Sequence, residues 1–313
     1  MRAIPMDSNL EIVDLPVPEP GPAEVQIEVV AAGVNRADLL QAAGHYQVPE
    51  GANRILGLEA AGRISAVGPG VETSLVGRPV NALLDGGGYA QFVTSPVTQV
   101  RLLPDDADLT VAAARPEALC TAWFNLAQLG RLQRGETVLV HGGSGGVGHV
   151  AIQLARAMGA TVLATCGSEE KARWCEELGA AVGIDYHGDV VAAVKGATGG
   201  RGVDVVLDVL GAGGLGPNME MLAHGGRITV IGLQKGRKGE LDVYGLLAKR
   251  ATITGSRLRE LSGREKALVV SGATGYSDAV EAHVDAVVPF EEVARAHELM
   301  DDPATRGKVV LTL

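Results

Sequence analysis

The stretch that most restricts the fold runs from residue 136 to residue 158. Glu136-Thr-Val-Leu-Val-His141 reads as a buried strand that passes directly into Gly142-Gly-Ser-Gly-Gly-Val-Gly148, which holds a G-x-G-x-x-G pattern from Gly143 to Gly148. Val147, Val150, Ala151, Leu154, Ala155 and Met158 then recur at helical spacing. Glycine suits such a turn because the chain must bend tightly, a diphosphate must approach bare backbone, and the helix must pack close to the strand. The start of the helix adds N–H donors and a positive dipole end. Strand, turn and helix together predict a dinucleotide site with Gly143, Gly145, Gly146 and Val147 at the diphosphate.

The next strand, Thr161-Val-Leu-Ala-Thr-Cys166, ends in Gly167-Ser168. A site selective for NAD usually has an acid there to hold the ribose 2′-hydroxyl. Here the tip has Ser168, with Lys171 three residues on as a point charge for a 2′-phosphate. Glu169 and Glu170 are ordinary first-turn acids of a helix. NADPH is therefore expected over NADH.

The chain has 313 residues, enough for one large or two medium domains. A net charge of −10 argues against nucleic acid as a partner, and no apolar run is long enough to span a membrane. Met1-Arg-Ala-Ile-Pro-Met-Asp7 has no signal-peptide core, and Cys120, Cys166 and Cys175 form no framework, so a reducing cytoplasm is expected.

Three segments separate along the chain. The first is rich in Val, Pro and Gly and reads as short strands, with Val25–Val30 alternating cleanly. The middle alternates strand and helix, with strands at 137–141, 161–166, 182–185, 203–209 and 227–232, which predicts a doubly wound parallel sheet. The last returns to mixed character and ends in the strand 308–313. The expected division is 1–112 for a β-rich domain completed by about 253–313, and 113–252 for the dinucleotide domain, with the active site in the cleft between.

Asn35-Arg-Ala-Asp38, Gly44-His-Tyr46, Gly57-Leu-Glu-Ala-Ala-Gly62, Val67-Gly-Pro-Gly-Val71, Gly86-Gly-Gly-Tyr-Ala-Gln-Phe92, Pro116-Glu-Ala-Leu-Cys-Thr121, the glycine turn and Gly307-Lys-Val-Val-Leu311 follow one another in an order that resembles the medium-chain dehydrogenase/reductase superfamily. Within it the chain looks most like the zeta-crystallin-type quinone oxidoreductases. The resemblance covers essentially the whole chain. It implies an α/β fold, a GroES-like β-rich catalytic domain plus a Rossmann doubly wound parallel-sheet domain, with NADPH as cofactor and a homodimer, sometimes a tetramer.

Zinc alcohol dehydrogenases carry Gly-His-Glu where this chain has Gly57-Leu58-Glu59, and a cysteine ligand within the region of Gly33–Asp38, which has none. The seven histidines show no metal-ligand spacing and read mostly as surface or turn residues. No metal is expected. Hydride acceptors that need no Lewis acid remain: quinones first, and activated alkenes (alkenals, enones or enoyl thioesters) as the alternative. A third reading, an NADPH-binding protein without activity, follows from crystallin recruitment in the family.

The resemblance carries roles to particular residues. Tyr46 is a candidate proton donor or else a wall of the pocket. Asn35 either orients groups near the nicotinamide or caps the helix before Asp38. Thr121 falls on the nicotinamide side, and Ser168, Lys171 and Tyr186 at the 2′-phosphate and adenosine. Gly232 and Leu233 should line the nicotinamide pocket, and Ser256, Leu258 and Lys308 are further cofactor contacts or else structural residues. Asp208 reads as a turn-stabilising acid. One departure stands out: segment 269–278 is glycine-broken and shorter than the family's long helix.

Overall fold

The computed structural model describes residues 1–45, 51 and 53–313. The chain divides into two compact units. One comprises Met1–Cys120, Arg259–Gly275 and Ala282–Leu313, and the other Thr121–Leu258 and Tyr276–Glu281.

The second unit is built on a six-stranded, wholly parallel sheet. Its order across the sheet is Val182–Asp185, Thr161–Cys166, Thr137–Val140, Val203–Asp208, Leu222–Val230 and Thr252–Gly255. Strand order therefore reverses between Thr137–Val140 and Val203–Asp208, which places any ligand crevice beyond the carboxyl ends of those two strands. Val138, Leu139, Val140, Val205 and Val206 are fully buried, as a central parallel strand covered on both faces requires. The expected strands are all present. The fifth starts earlier, at Leu222, and Thr252–Gly255 joins this sheet as its edge, although its sequence had been grouped with the closing segment.

A seven-stranded sheet organises the first unit. The long strand Glu24–Val34 pairs antiparallel with Glu59–Val67, Phe92–Pro96 and Lys308–Thr312. Ile27 and Val29 point into the core while Glu28 and Val30 face out, which is the alternation legible in the sequence. Gly62 is required by packing here: a Cβ would lie 1.9 Å from the Glu28 carbonyl oxygen.

The segment expected to be glycine-broken is helical at its start: helix Gly263–Thr274 runs straight through Gly272 and ends at Gly275. Ser262 and Glu265 close a capping box at its start, and Val269, Val270 and Ala273 are buried. One interior glycine costs about 1 kcal/mol of helix propensity. A cap and three buried side chains outweigh that. Among the described residues no helix is long and apolar enough to cross a membrane.

Candidate active site

Two clusters contain the residues singled out by the sequence, one in each unit. In the β-rich unit, strand register decides who meets whom. Val34 pairs with Val309, so Asn35 and Lys308 lie side by side at the next step of the ladder. Ala32 pairs with Ala60, which brings Glu59 opposite Gly33. A Cβ on Gly33 would lie 2.2 Å from Glu59 Oε1, so the glycine leaves the space that the carboxylate fills.

Within this space Glu59 is wholly buried and Lys308 is 3% exposed. Lys308 Nζ donates to Glu59 Oε1 at 2.6 Å and to Asn35 Oδ1 at 2.5 Å. Asn35 Nδ2 donates to Glu59 Oε1 at 2.9 Å, and the backbone N–H of Glu117 donates to Glu59 Oε2 at 2.9 Å. An ion pair withdrawn from water persists only when its lone pairs are filled like this. The carboxylate thus anchors the first turn of helix Pro116–Trp123, while both ends of the Asn35 amide are engaged in the framework. Asn35 is also the N-cap residue of helix Arg36–Ala42, where the Asp38 carboxylate accepts its N–H at 2.8 Å. Lys308 points inward at its partners rather than out at solvent. Tyr46 lies outside the described residues.

Asp38 adds a titrating group to the same core. It is fully buried, accepts the N–H groups of Asn35 and Gly57, and sits 3.4 Å from Tyr89 Oη, which in turn lies 3.4 Å from His297 Nε2. Burial pushes the Asp38 carboxyl up to about 7 and the His297 imidazole down to about 4. A carboxyl with a raised folded pKa holds its proton in the folded state, so its stabilisation is complete below about 3.8 and is lost as pH rises towards 7. The histidine does the reverse: its stabilisation is present above 6.5 and is lost as pH falls towards 4. The two slopes cancel over the shared window. Asp38→Asn should unmask the histidine. The stability of wild type minus that of the variant should fall by about 1.4 kcal/mol per pH unit between 4 and 7 in urea unfolding. A flat difference would mean that Asp38 is ionised throughout.

In the dinucleotide unit the turn folds as its glycines predict. Gly142 takes φ +68°, the Gly143 N–H donates to Thr165 O at 2.7 Å, and helix Gly148–Ala157 begins at the last glycine. Gly143 is buried close beneath Ala164 and Cys175, while Gly145, Gly146 and Val147 are half-exposed at the helix start, where a diphosphate would meet backbone. At the tip of the second strand, Gly167, Ser168, Lys171 and Tyr186 form one patch. Ser168 caps helix Glu169–Glu177 by accepting the Lys171 N–H at 3.2 Å. Tyr186 is 48% exposed, and its hydroxyl lies 2.7 Å from where a Cβ on Gly167 would stand. A side chain at 167 would push the ring away.

On the other side of the reversal point, Gly232 lies against Val209, and Leu233 is 53% exposed, an apolar surface suited to a ring. Ser256 Oγ donates to Asn125 Oδ1 at 2.8 Å, and Asn125 Nδ2 donates to Thr121 O at 2.9 Å. Asn125, fully buried in the π-helical turn Phe124–Leu129, therefore joins two expected cofactor residues and was not itself foreseen. Leu258 is buried. Glu59 was also missed, although an acid inside the apolar run Leu58-Glu59-Ala60-Ala61 is the mark of a buried, paired carboxylate. Reading the histidines as surface groups overlooked His141, His149 and His297, all buried.

Residues 21–105 match the model described as alcohol dehydrogenase GroES-like domain, and residues 146–273 the one described as zinc-binding dehydrogenase. The quinone oxidoreductase of Lama guanicoe is 33% identical over 96% of this chain and 92% of its own. The chain belongs to the medium-chain dehydrogenase/reductase superfamily. A mycobacterial protein solved as a complex with NADPH superposes with a TM-score of 0.87 at 31% identity, over 100% of both chains. The mycocerosic acid synthase-like polyketide synthase of Mycobacterium tuberculosis is 34% identical over 93% of this chain, which spans 14% of that much longer protein.

The two possible groups fare differently against these residues. A zinc ion does not fit the Gly57-Leu58-Glu59 corner: both Glu59 oxygens are taken by an ammonium, an amide and a backbone N–H, and Leu58 is 4% exposed. A dinucleotide fits the glycine cradle and the patch at the second strand tip.

Proposed function

We propose that this protein transfers hydride from NADPH to quinones without a metal ion. The observation that carries this reading is the match to a quinone oxidoreductase along nearly the whole length of both chains. The NADPH complex of the mycobacterial neighbour supports the choice of cofactor. So does a strand tip bearing Ser168 and Lys171 where NAD-selective sites carry an acid.

In this reading Gly145, Gly146 and Val147 hold the diphosphate, and Ser168, Lys171 and Tyr186 take the 2′-phosphate and adenosine. Leu233, Gly232 and Thr121 wall the nicotinamide side. The bound NADPH supplies a hydride from C4 of its ring. Negative charge then delocalises onto the oxygen of the acceptor, so the residues need chiefly to orient the partners and exclude water. The Asn35–Glu59–Lys308 framework acts as positioning machinery, and Tyr46 is the proposed proton donor. The protein is further proposed to be a homodimer in a reducing cytoplasm. Three free cysteines, and the edge strand Thr252–Gly255 beside exposed Tyr244 and Leu247, fit that picture.

One alternative has its own support. The polyketide synthase relative favours reduction of an enoyl thioester or another activated alkene, which uses the same hydride geometry. Loss of nicotinamide absorbance against benzoquinone, phenanthrenequinone, an alkenal and an enoyl-CoA decides between them, with gain of absorbance from an alcohol and NADP⁺ as the control. Each acceptor should be run with NADPH and with NADH, and every assay repeated with EDTA. NADPH-selective, EDTA-insensitive quinone turnover is expected. Turnover with the alkenal or enoyl-CoA alone would move the protein to the alternative, and EDTA-sensitive alcohol oxidation would overturn the metal-free reading.

A further inference from the structure

The buried polar side chains at the reversal point of the parallel sheet are not accounted for by the roles above. His141 directly follows Thr137–Val140, and Asp208 ends the neighbouring strand Val203–Asp208. His141 is 4% exposed, Thr165 2%, and Asn218 and Asp208 not at all.

Their bonds have a direction. Burial holds the His141 imidazole below its ordinary pKa, so it is neutral at pH 7 and carries one ring N–H. Nε2 lies 2.7 Å from Asn218 Oδ1, which only accepts, so the proton is on Nε2. Nδ1, 2.9 Å from Thr165 Oγ1, then accepts the threonine hydroxyl proton. The same Oγ1 accepts the Gly142 N–H at 3.4 Å, and Thr165 O accepts the Gly143 N–H. On the far side, Asn218 sits in helix Leu215–Met221, which follows directly on the turn Gly211–Gly214, and no hydrogen bond joins its amide to Asp208. Asp208 accepts the N–H groups of Leu210 and Gly211 at 2.6 and 3.2 Å.

The turn beyond Asp208 is laced to the loop after the fifth strand. Gln234 N–H donates to Val209 O, Lys235 N–H to Leu210 O, Ala212 N–H to Gly236 O, and Gly213 N–H to Lys235 O. A path of polar contacts therefore runs from the Gly142–Gly143 turn through three buried side chains to helix Leu215–Met221, whose leading turn Gly211–Gly214 is bonded through its backbone to the Gly232–Gly236 loop.

We infer that Thr165, His141 and Asn218 are a positioning chain that sets the diphosphate turn against helix Leu215–Met221 and the nicotinamide-side loop bonded to its leading turn, and so governs affinity for the dinucleotide. The inference rests on the NADPH reading above. His141 touches no cofactor atom in this scheme. It acts through the Thr165 hydroxyl on one side and through Asn218 on the other.

The test compares Thr165→Val, which keeps the shape and loses the hydroxyl, with Thr165→Ser, which keeps the hydroxyl. Their NADPH dissociation constants are measured by fluorescence titration, alongside KM for NADPH, kcat and the thermal midpoint. Thr165→Val should weaken NADPH binding and raise its KM about 10-fold, with kcat at saturating NADPH changed far less, and Thr165→Ser should bind like wild type. His141→Gln, which keeps a donor for Asn218 but abandons Thr165, serves if Thr165→Val folds poorly, and should weaken NADPH binding to the same degree. Wild-type affinity in Thr165→Val or in His141→Gln would overturn the inference. Wild-type protein that binds no NADPH would overturn the cofactor reading first, and this inference with it.

Discussion

Replacing Lys308 with methionine should remove about 3 to 5 kcal/mol of folding stability, because it leaves the Glu59 carboxylate buried without its counter-charge. Among the described residues no second cation is bonded to Glu59. Gly33 and the Ala113 carbonyl crowd the same space, and the other two donors to Glu59, Asn35 Nδ2 and the Glu117 N–H, are neutral. The loss should also loosen the first turn of Pro116–Trp123 and the Asn35 turn, so activity should fall with stability. Pairing Lys308→Met with Glu59→Gln removes both charges together and should recover most of the stability, since the amide oxygen can accept the Glu117 N–H while its NH2 donates to the Asn35 Oδ1 that the lysine has left. Urea unfolding of the two single variants and the double variant provides the measurement. A Lys308→Met protein within about 1 kcal/mol of wild type would mean that the pair is not what holds this corner together.

The second large effect is expected at the last glycine of the turn. A Cβ on Gly148 would stand 2.0 Å from Gly142 O and 2.8 Å from the Gly143 Cα, both backbone atoms. Gly148→Ala can be accommodated only if the turn opens, which moves the N–H groups that face the diphosphate. NADPH binding should weaken by about 100-fold or more, with a stability loss of about 1 to 3 kcal/mol from the clash. Gly196→Ala is the control within the same unit. It lies in helix Val190–Ala197 with no atom within 4 Å of the added Cβ, so it should be neutral or stabilise by up to about 1 kcal/mol and leave cofactor binding alone. Calorimetric titration with NADPH separates the two cases. Equal affinity in Gly148→Ala and Gly196→Ala would show that close packing at residue 148 is not what shapes the cradle.

The dinucleotide unit was legible in the chain because its signals are local. Strand, turn and helix each fall within about 20 residues, and apolar periodicity with glycine spacing reports them directly. Ser168, Lys171 and Tyr186 meet at one strand tip for the same reason: each follows a strand end that the pattern marks. Helix Gly263–Thr274 passes Gly272 because a capping box and buried valines outweigh one glycine's propensity, and the break that the glycines signal falls at Gly275.

What only the tertiary structure decided lies across long separations. Asn35, Glu59 and Lys308 share one buried site through the register of two antiparallel ladders, and no local pattern encodes that register. Likewise, His141, Thr165 and Asn218 come from three elements brought together at the carboxyl ends of the parallel strands. Sequence by itself determined the fold class and the kind of ligand, since these depend on periodicity and turn chemistry. The charge pairs and tautomers depend on which buried groups become neighbours, and that is a property of the folded chain alone.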